Sequence, residues 1–213
     1  MNSDANQNKS SIVNHFCEKY EKSGKLGSLL INNFYRSISY LTDCAFKHTR
    51  VQKIHEVACG PGQSTKRILG HINNKNYNQT FTASDYEIEL VDYAQKTNPE
   101  VQVFQESIYD IKSKDSEIDL IFALEVLEHL ENPEAAIKEL ARVSQFAIIS
   151  TPNEPLWRIM NFTRMKYIKD FGNTPGHINH WMPHQLQKLL KNHFIIIDSK
   201  LPIPWQMYFC KSK

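Results

Sequence analysis

The chain has 213 residues, of which 41% are apolar and 23% charged, values typical of a single domain with one good core. Lysine and arginine exceed the acidic residues by only 25 to 23 and form no basic block, which argues against a dedicated nucleic-acid or membrane-surface protein. Cys17, Cys44, Cys59 and Cys210 have no zinc-binding spacing, so we expect free thiols in the cytoplasm. No secretion signal or membrane-spanning run is recognised, so no membrane insertion is expected.

The predicted elements begin with a disordered tail over 1–10, followed up to about residue 47 by two helices divided near Gly24 and Gly27. Five short apolar runs then predict strands that alternate with helical patterns. The strand segments are KIHEVA, FTASD, VQVFQES, IDLIFAL and FAIIST, and the helical segments are QSTKRILGHI, EIELVDYAQKT and NPEAAIKELARVS. This alternation predicts an α/β fold, a Rossmann-like doubly wound parallel sheet with helices on both faces, in one domain over 11–213.

After Thr151 the pattern loosens into a long segment marked by prolines. Segments of that length inside a compact fold are usually functional, and here we predict a helix over about 154–168 followed by irregular chain. A last helix over 183–191 precedes FIIID and WQMYFC, which predict a hairpin and therefore an antiparallel final strand. The N-terminal helices, over about 11–47, and the segment 152–181 are predicted to form a cap.

The loop after the first strand has the sequence EVACGPGQST. Ligands of open α/β sheets bind at the carboxyl ends of the strands, and this loop is the usual cradle. Gly60 and Gly62 are predicted to let the main chain approach a ligand, while Pro61 stiffens the turn. The second strand ends at Asp85, 23 positions after Gly62, where an acid that accepts hydrogen bonds from ribose hydroxyls is expected.

The next positions of the loop favour a nucleoside ligand without pyrophosphate. A dinucleotide-binding loop has its third glycine where this chain has Thr65, and no Tyr-x-x-x-Lys pair follows the fifth strand. An NAD-dependent oxidoreductase is therefore disfavoured. Ser64 or Thr65 is predicted to begin the following helix.

Four stretches together resemble the class I S-adenosylmethionine-dependent methyltransferases, especially small-molecule enzymes of the ubiquinone-biosynthesis type: EVACGPGQST, ASDYEIELVDYA, ESIYDI and IDLIFALEVLEHLENPEAAIKELARVS. The resemblance covers about residues 41–210. It implies a seven-stranded sheet with the last strand antiparallel and S-adenosylmethionine as cofactor. It also assigns the glycine loop to the methionine end of the cofactor, Asp85 to the ribose diol, and the chain after the third strand to the adenine edge. The predicted cofactor-binding residues are Glu56, Ala58, Cys59, Gly60, Pro61, Gly62, Asp85, Tyr86, Ser107, Ile108, Ala123 and Leu124.

Two positions depart from the family pattern. Ala58 stands where glycine is frequent, and we expect an extended backbone to accept it. Ser107 stands where aspartate is common, and its hydroxyl makes a weaker hydrogen bond to the adenine amino group than a carboxylate does. Two further side chains have alternative roles: Glu56 either contacts the cofactor or braces the glycine turn through backbone N–H groups, and Tyr86 either lies on the adenosine or covers the sheet edge.

The sulfonium is already an activated methyl donor, so transfer needs mainly in-line alignment and, for a hydroxyl acceptor, removal of a proton. The predicted catalytic residues are His177 and His180, from the cap. His129 is the third, because Glu125, Glu128 and His129 lie near a helix start at the cofactor end of the fourth strand. Packing, capping or bonding to the loop is the alternative role of each histidine. A three-histidine metal site of His177, His180 and His184 is disfavoured, because no carboxylate stands at ligand spacing, and no metal is expected.

The acceptor is predicted by elimination to be a small or medium-sized molecule, methylated on oxygen, nitrogen or carbon. The chain lacks the Asn/Asp-Pro-Pro-aromatic motif of DNA amino-methyltransferases, the nucleophilic cysteine of cytosine-carbon enzymes and the length for an arginine-methyltransferase barrel, so no nucleic-acid partner is expected. Aromatic and basic cap residues suit an apolar acceptor with an acidic group, although a solvated helix face also explains the charges. These residues are Trp157, Phe162, Tyr167, Phe171 and Trp181, with Arg158, Arg164, Lys166 and Lys169. A cofactor-binding module without catalysis is the rival interpretation.

Overall fold

The computed structural model describes residues 24–75, 79–163 and 167–213. Seven strands form one sheet in the order β3-β2-β1-β4-β5-β7-β6. They are β1 (Lys53–Val57), β2 (Thr80–Asp85), β3 (Gln102–Gln105), β4 (Ile118–Leu124), β5 (Ser144–Pro152), β6 (Phe194–Lys200) and β7 (Trp205–Ser212). Strand β7 runs antiparallel to β5 and β6, and all other neighbours are parallel. The predicted seven-stranded α/β fold with an antiparallel last strand is confirmed.

Six α-helices occur within the described residues: α1 (Lys25–His48), α2 (Gln63–Asn74), α3 (Ile88–Thr97), α4 (Pro133–Val143), α5 (Leu156–Thr163) and α6 (Pro183–Leu190). Helix α1 begins after Gly24, but Gly27 lies buried inside it and does not divide it. The predicted tail over 1–10 and the first predicted helix lie outside the described residues. Helix α5 begins two residues later than predicted, because the residue before Pro155 is disfavoured in helical geometry.

The helices cover both faces of the sheet over two cores. Successive strand side chains point to opposite faces, so a strand buried on both sides serves two cores at once. In β4, Phe122 belongs to the core under α1, α2 and α3, whereas Ile121 belongs to the core under α4 and α6. This two-sided burial explains why IDLIFAL is a continuous apolar run and not an alternating one.

The parallel strands all end at the same edge of the sheet, and the strand order reverses between β1 and β4. In open α/β sheets, ligands bind outside the carboxyl ends of the strands at such a switch point. Strands β1 and β4 are direct neighbours there, with Val57 opposite Ala123. The loop after β1 and the turn after β4 therefore lie side by side.

Two further sequence-based expectations concern thiols and membranes. Cys44, Cys59 and Cys210 are free thiols, as predicted, while Cys17 lies outside the described residues. Within 24–75, 79–163 and 167–213, no helix combines the length and apolar character that crossing a membrane requires.

Candidate functional site

The loop after β1, residues 58–62, is called the cofactor loop below. Ala58 has φ of 55°, so the expectation of an extended backbone there is wrong. The strand ends at Val57 and the chain turns at once, with the Cys59 N–H donating to the Ser84 carbonyl at 2.9 Å. A side chain in this left-handed conformation costs about 1 kcal/mol relative to ordinary backbone, which glycine avoids.

The two glycines of the cofactor loop have different surroundings. A Cβ added to Gly60 would meet no atom within 4 Å, so this position faces open space. A Cβ added to Gly62 would lie 2.4 Å from Asn98 Nδ2 and 3.1 Å from the Ala94 backbone, at the end of α3. Gly60 therefore suits the predicted approach to a ligand, whereas Gly62 is required for the packing of the loop against α3.

Glu56 contacts the first turn of α2. The helix begins at Gln63 with Gly62 as its N-cap, so the prediction that Ser64 or Thr65 starts it is wrong. Instead, the Thr65 hydroxyl donates to Glu56 Oε2 at 2.5 Å. Burial raises the pKa of Glu56 to about 7, although hydrogen bonds from Ser64 and Thr65 oppose the rise. Glu56 thus braces the first turn of α2, directly after the loop, through side-chain hydroxyls, and Thr65 supplies one of them at the position of the missing third glycine.

Asp85, at the end of β2, connects the cofactor loop to α3. Its Oδ2 accepts from the Gly60 N–H at 2.8 Å and its Oδ1 from the Glu87 N–H at 3.0 Å. Burial raises the pKa of this carboxyl, which is 7% exposed, against the lowering by backbone N–H groups of Glu87, Gly60 and Tyr86. The neighbouring Tyr86 is 69% exposed. Asp85 therefore shapes the loop as well as lying where the ribose diol is predicted.

Of the four predicted cofactor residues after β3 and at the end of β4, three are buried and Ser107 is half-buried. Ile108 and Ala123 lie in the core under α4 and α6, and Leu124 lies in the opposite core. Ser107 Oγ accepts from the Tyr109 N–H at 3.2 Å, which closes the turn after β3. The assignment of these four residues to the adenine and methionine sides stays a prediction.

Cys59 and Pro61 complete the predicted set in the loop itself. Both are buried, and the Cys59 thiol lies 3.6 Å from the Gly60 carbonyl. Burial raises the pKa of this thiol, with the nearby Glu56 and Asp85 adding to the effect. Cys59 is therefore a packed thiol and not a nucleophile.

A buried polar network beside the loop was not predicted from the sequence. His55 lies within 2.8 Å of the Thr82 hydroxyl through Nδ1 and within 2.9 Å of the Ser84 hydroxyl through Nε2. Its Nε2 also lies 3.5 Å from Glu106 Oε1. Burial acts to raise the pKa of Glu106, but hydrogen bonds from His55 and from the Lys112 N–H outweigh it and lower the pKa. The sequence feature that could have predicted this network is His55, a histidine in the middle of a buried strand.

Two of the three predicted catalytic histidines come together. The rings of His129 and His177 lie edge to face with centroids 4.9 Å apart, and Glu128 lies beside them. Glu128, His129 and His177 are called the Glu-His cluster below. His180 belongs to another contact, with its Nδ1 3.4 Å from Glu154 Oε1. Glu128 and His129 lie shortly before a helix start, as predicted: Leu127–His129 is a single 3₁₀ turn, and α4 begins at Pro133, within the predicted segment NPEAAIKELARVS.

The fold and the cofactor loop define an α/β protein of the Rossmann-like methyltransferase class. Residues 55–145 match the family model described as a methyltransferase domain. No curated protein matches the sequence. Residues 55–145 are therefore a methyltransferase domain on the class I fold, and the family match indicates S-adenosylmethionine as the cofactor.

Solved structures show the same fold at low sequence identity. Magnesium protoporphyrin IX methyltransferase from Synechocystis PCC 6803, with bound S-adenosylhomocysteine, is similar with a TM-score of 0.65 and 15% identity, over 98% of this chain and 95% of that chain. A S-adenosylmethionine-dependent methyltransferase from Aquifex aeolicus has a TM-score of 0.61 and 14% identity, over 81% and 89%. The cyclase SpnF has a TM-score of 0.59 and 14% identity, over 82% and 81%, so the fold also carries chemistry other than methyl transfer.

Proposed function

We propose that the protein transfers the methyl group of S-adenosylmethionine to a small or medium-sized acceptor held between the cofactor loop and the segment 152–181. The observation that carries the proposal is the pairing of Gly60, which faces open space, with the Asp85 carboxylate that holds its N–H. This places a bare backbone and an acidic acceptor together at the switch point of the sheet, where nucleoside ligands bind.

The cofactor is held by groups with separate tasks. A carboxylate has about four acceptor sites, so the backbone bonds to Asp85 leave capacity for a ribose hydroxyl. Tyr86, next in the chain, has an exposed ring whose face is available for the adenosine to stack on. The acceptor then attacks the methyl carbon in line with the C–S bond, whose electron pair passes to sulfur to give neutral S-adenosylhomocysteine.

The acceptor side of the proposal depends on the cap. Phe162 and Phe171 in this segment are exposed, and Trp157 is partly exposed. The Arg158 guanidinium donates from Nε to the Phe171 carbonyl at 3.3 Å, which brings a cation to the same surface. This combination supports an apolar or aromatic acceptor with an acidic group. Arg164 and Lys166, predicted to contribute, lie outside the described residues.

Calorimetric titration with S-adenosylmethionine, S-adenosylhomocysteine and NAD tests the cofactor site. Asp85→Asn keeps one carbonyl oxygen for the loop but loses the charge, so cofactor binding is expected to weaken by roughly 1.5–3 kcal/mol. Asp92→Asn, on the exposed side of α3, is the matched control and should leave the affinity unchanged.

Two results would contradict the proposal. Binding of NAD without binding of S-adenosylmethionine would reject the cofactor assignment. Tight cofactor binding without methyl transfer to any member of a broad panel of hydroxyl, amine and carbon acceptors would instead identify a binding module.

A further inference from the structure

The Glu-His cluster brings together three metal-ligating side chains from two segments that are distant in the sequence. One ligand atom from each of Glu128, His129 and His177 lies within 4.8 Å of the others. We propose that these residues bind one divalent transition-metal ion and that an oxygen atom of the acceptor coordinates to it. The sequence predicts no metal because it offers no carboxylate near His177, but the turn after β4 supplies one.

The donor set fits a first-row transition metal better than magnesium or calcium. Two imidazoles and one carboxylate are typical ligands of Zn²⁺, Co²⁺ and Mn²⁺, whereas Mg²⁺ and Ca²⁺ prefer oxygen donors alone. Ligand atoms about 2.1 Å from one ion in tetrahedral geometry lie about 3.4 Å apart. The most distant pair of donors therefore needs to close by up to roughly 1.4 Å, which is within the reach of side-chain rotation.

The Gly176 carbonyl fixes the tautomer of the His129 ring. Its Nδ1 lies 2.9 Å from the Gly176 carbonyl oxygen, which can only accept, so Nδ1 carries the proton and Nε2 carries the lone pair. Metal-bound histidines almost always donate their other N–H in this manner. Gly176 presents the carbonyl with φ of 86°, and a Cβ there would lie 3.4 Å from His129 Nδ1.

His177 is fixed from several sides. Its ring stacks on Trp157 at a centroid distance of 5.9 Å, and the indole N–H donates to the Thr174 hydroxyl at 2.9 Å. The His177 N–H donates to the carbonyl of the same Thr174 at 3.0 Å. A ring held by stacking and by its backbone loses little freedom when it binds a metal.

The turn after β4 and the cap segment around His177 are joined by backbone hydrogen bonds next to the ligands. The N–H groups of Ile178 and Asn179 both donate to the Glu128 carbonyl at 3.0 Å. The Asn179 amide also donates to the carbonyls of Leu130 at 2.6 Å and Leu127 at 3.3 Å. The ligand turn after β4 and the ligand segment in the cap are thus held together before any ion binds.

The burial of the ligands leaves one side of the ion accessible. Glu128 is 1% exposed and His177 5% exposed, while His129 is exposed. Structural zinc sites use four protein ligands, whereas three protein ligands leave a position for water or substrate. The turn after β4, which carries Glu128 and His129, lies beside the cofactor loop, because β4 is the neighbour of β1.

The role of the ion builds on the proposed function. A metal-bound hydroxyl has a strongly lowered pKa, so the acceptor hydroxyl loses its proton to water while it is coordinated. Its oxygen then forms the bond to the methyl carbon as the C–S bond breaks, and the electron pair remains on sulfur. The acceptor class is therefore a hydroxyl compound, and no histidine is needed as general base.

Cobalt binding to chelator-treated protein tests the site. One equivalent of Co²⁺ is expected to bind with visible d–d absorption that indicates nitrogen ligands, and Mg²⁺ is expected to bind far more weakly. Glu128→Gln, His177→Gln and His129→Gln should each lower Co²⁺ affinity about 100-fold or more. His184→Gln, on the exposed face of α6, is the matched control and should bind as the unaltered protein does.

A variant that still binds S-adenosylmethionine is folded, so its loss of Co²⁺ binding reflects loss of a metal ligand. If substitution of the buried Glu128 or His177 unfolds the protein, the variant of the exposed His129 provides the test. No Co²⁺ binding by protein that binds S-adenosylmethionine would overturn the proposal, as would unchanged binding in all three variants. Metal binding without S-adenosylmethionine binding would instead contradict the proposed function.

The acceptor class is tested with the Co²⁺-loaded protein in the presence of S-adenosylhomocysteine. Phenol should shift the d–d absorption bands and aniline should not; the opposite result rejects the hydroxyl assignment.

Discussion

The cofactor loop and the Glu-His cluster lie at the same edge of the sheet, but they are built from different parts of the chain. The cofactor loop is one continuous turn, held by Asp85 at the end of β2, and Glu56 in β1 holds the helix start that follows the loop. The Glu-His cluster joins residues 128–129 to residue 177 through contacts between a short turn and the cap.

This difference explains which parts of the site are rigid by local geometry and which depend on long-range contacts. The shape of the cofactor loop follows from left-handed backbone at three of its five positions and from steric contact with α3. The Glu-His cluster depends on a few hydrogen bonds between segments that are separate in the unfolded chain, and such contacts are lost first when the cap opens locally. Four substitutions test the contrast.

The largest effect is expected from Gly62→Ala. The new methyl group would lie 3.1 Å from the Ala94 backbone with φ held at 78°, so stability should fall by about 3 kcal/mol or more. Urea unfolding measures the loss. Gly60→Ala is the control, with open space around the methyl group and an expected loss of only about 1 kcal/mol. Equal losses would show that steric contact with α3 does not distinguish the two glycines.

Glu56→Gln tests whether the buried Glu56 carboxyl, next to the cofactor loop, keeps its proton in the folded protein. The pKa of Glu56 is raised to about 7, so the folded state holds its proton while the unfolded state releases it above about pH 4.5. Stability should therefore fall as pH rises from about 4.5 to about 7, by roughly 3 kcal/mol from this residue, and this fall should be absent in the glutamine variant. Urea unfolding at pH 5 and pH 8 measures it; parallel curves for the two proteins would contradict the prediction.

Asn179→Ala tests the connection that assembles the Glu-His cluster. It removes the amide bonds to the carbonyls of Leu127 and Leu130, which should cost about 1–2 kcal/mol. Faster hydrogen exchange should appear in residues 127–130 and 176–179 but not in the cofactor loop. Asn192→Ala, which removes an exposed bond to Glu134, is the control. Faster exchange in the cofactor loop as well would show that the two regions are not independent.

The smallest effect is expected from Ala58→Gly. Glycine adopts φ of 55° without strain but loses more entropy on folding, so a net stabilisation of about 0.5–1 kcal/mol is expected. Thermal unfolding at fixed pH measures it. A lower melting temperature would show that the strain at this position is smaller than the entropy that alanine saves.

The order of strands and helices followed from the sequence because each signal is local. Apolar runs of strand length, helical periodicity and the final hairpin each depend on neighbouring residues, and together they predicted the sheet with its antiparallel last strand. The same holds for Gly60 and Asp85, since a strand end followed by glycine and a second strand end with an acid define the edge of the sheet.

The tertiary structure decided the features that depend on contacts between residues distant in the sequence, because no residue spacing shows such contacts. Gly62 is needed because Asn98, 36 positions later, packs against it, and Ala58 is left-handed because β1 ends one residue before it. Histidines 177 and 180 are near neighbours in the sequence, yet one joins His129 and the other joins Glu154. Which side chains of the cap meet is set by the folding of the segment back onto the turn after β4, a long-range contact that no local pattern encodes.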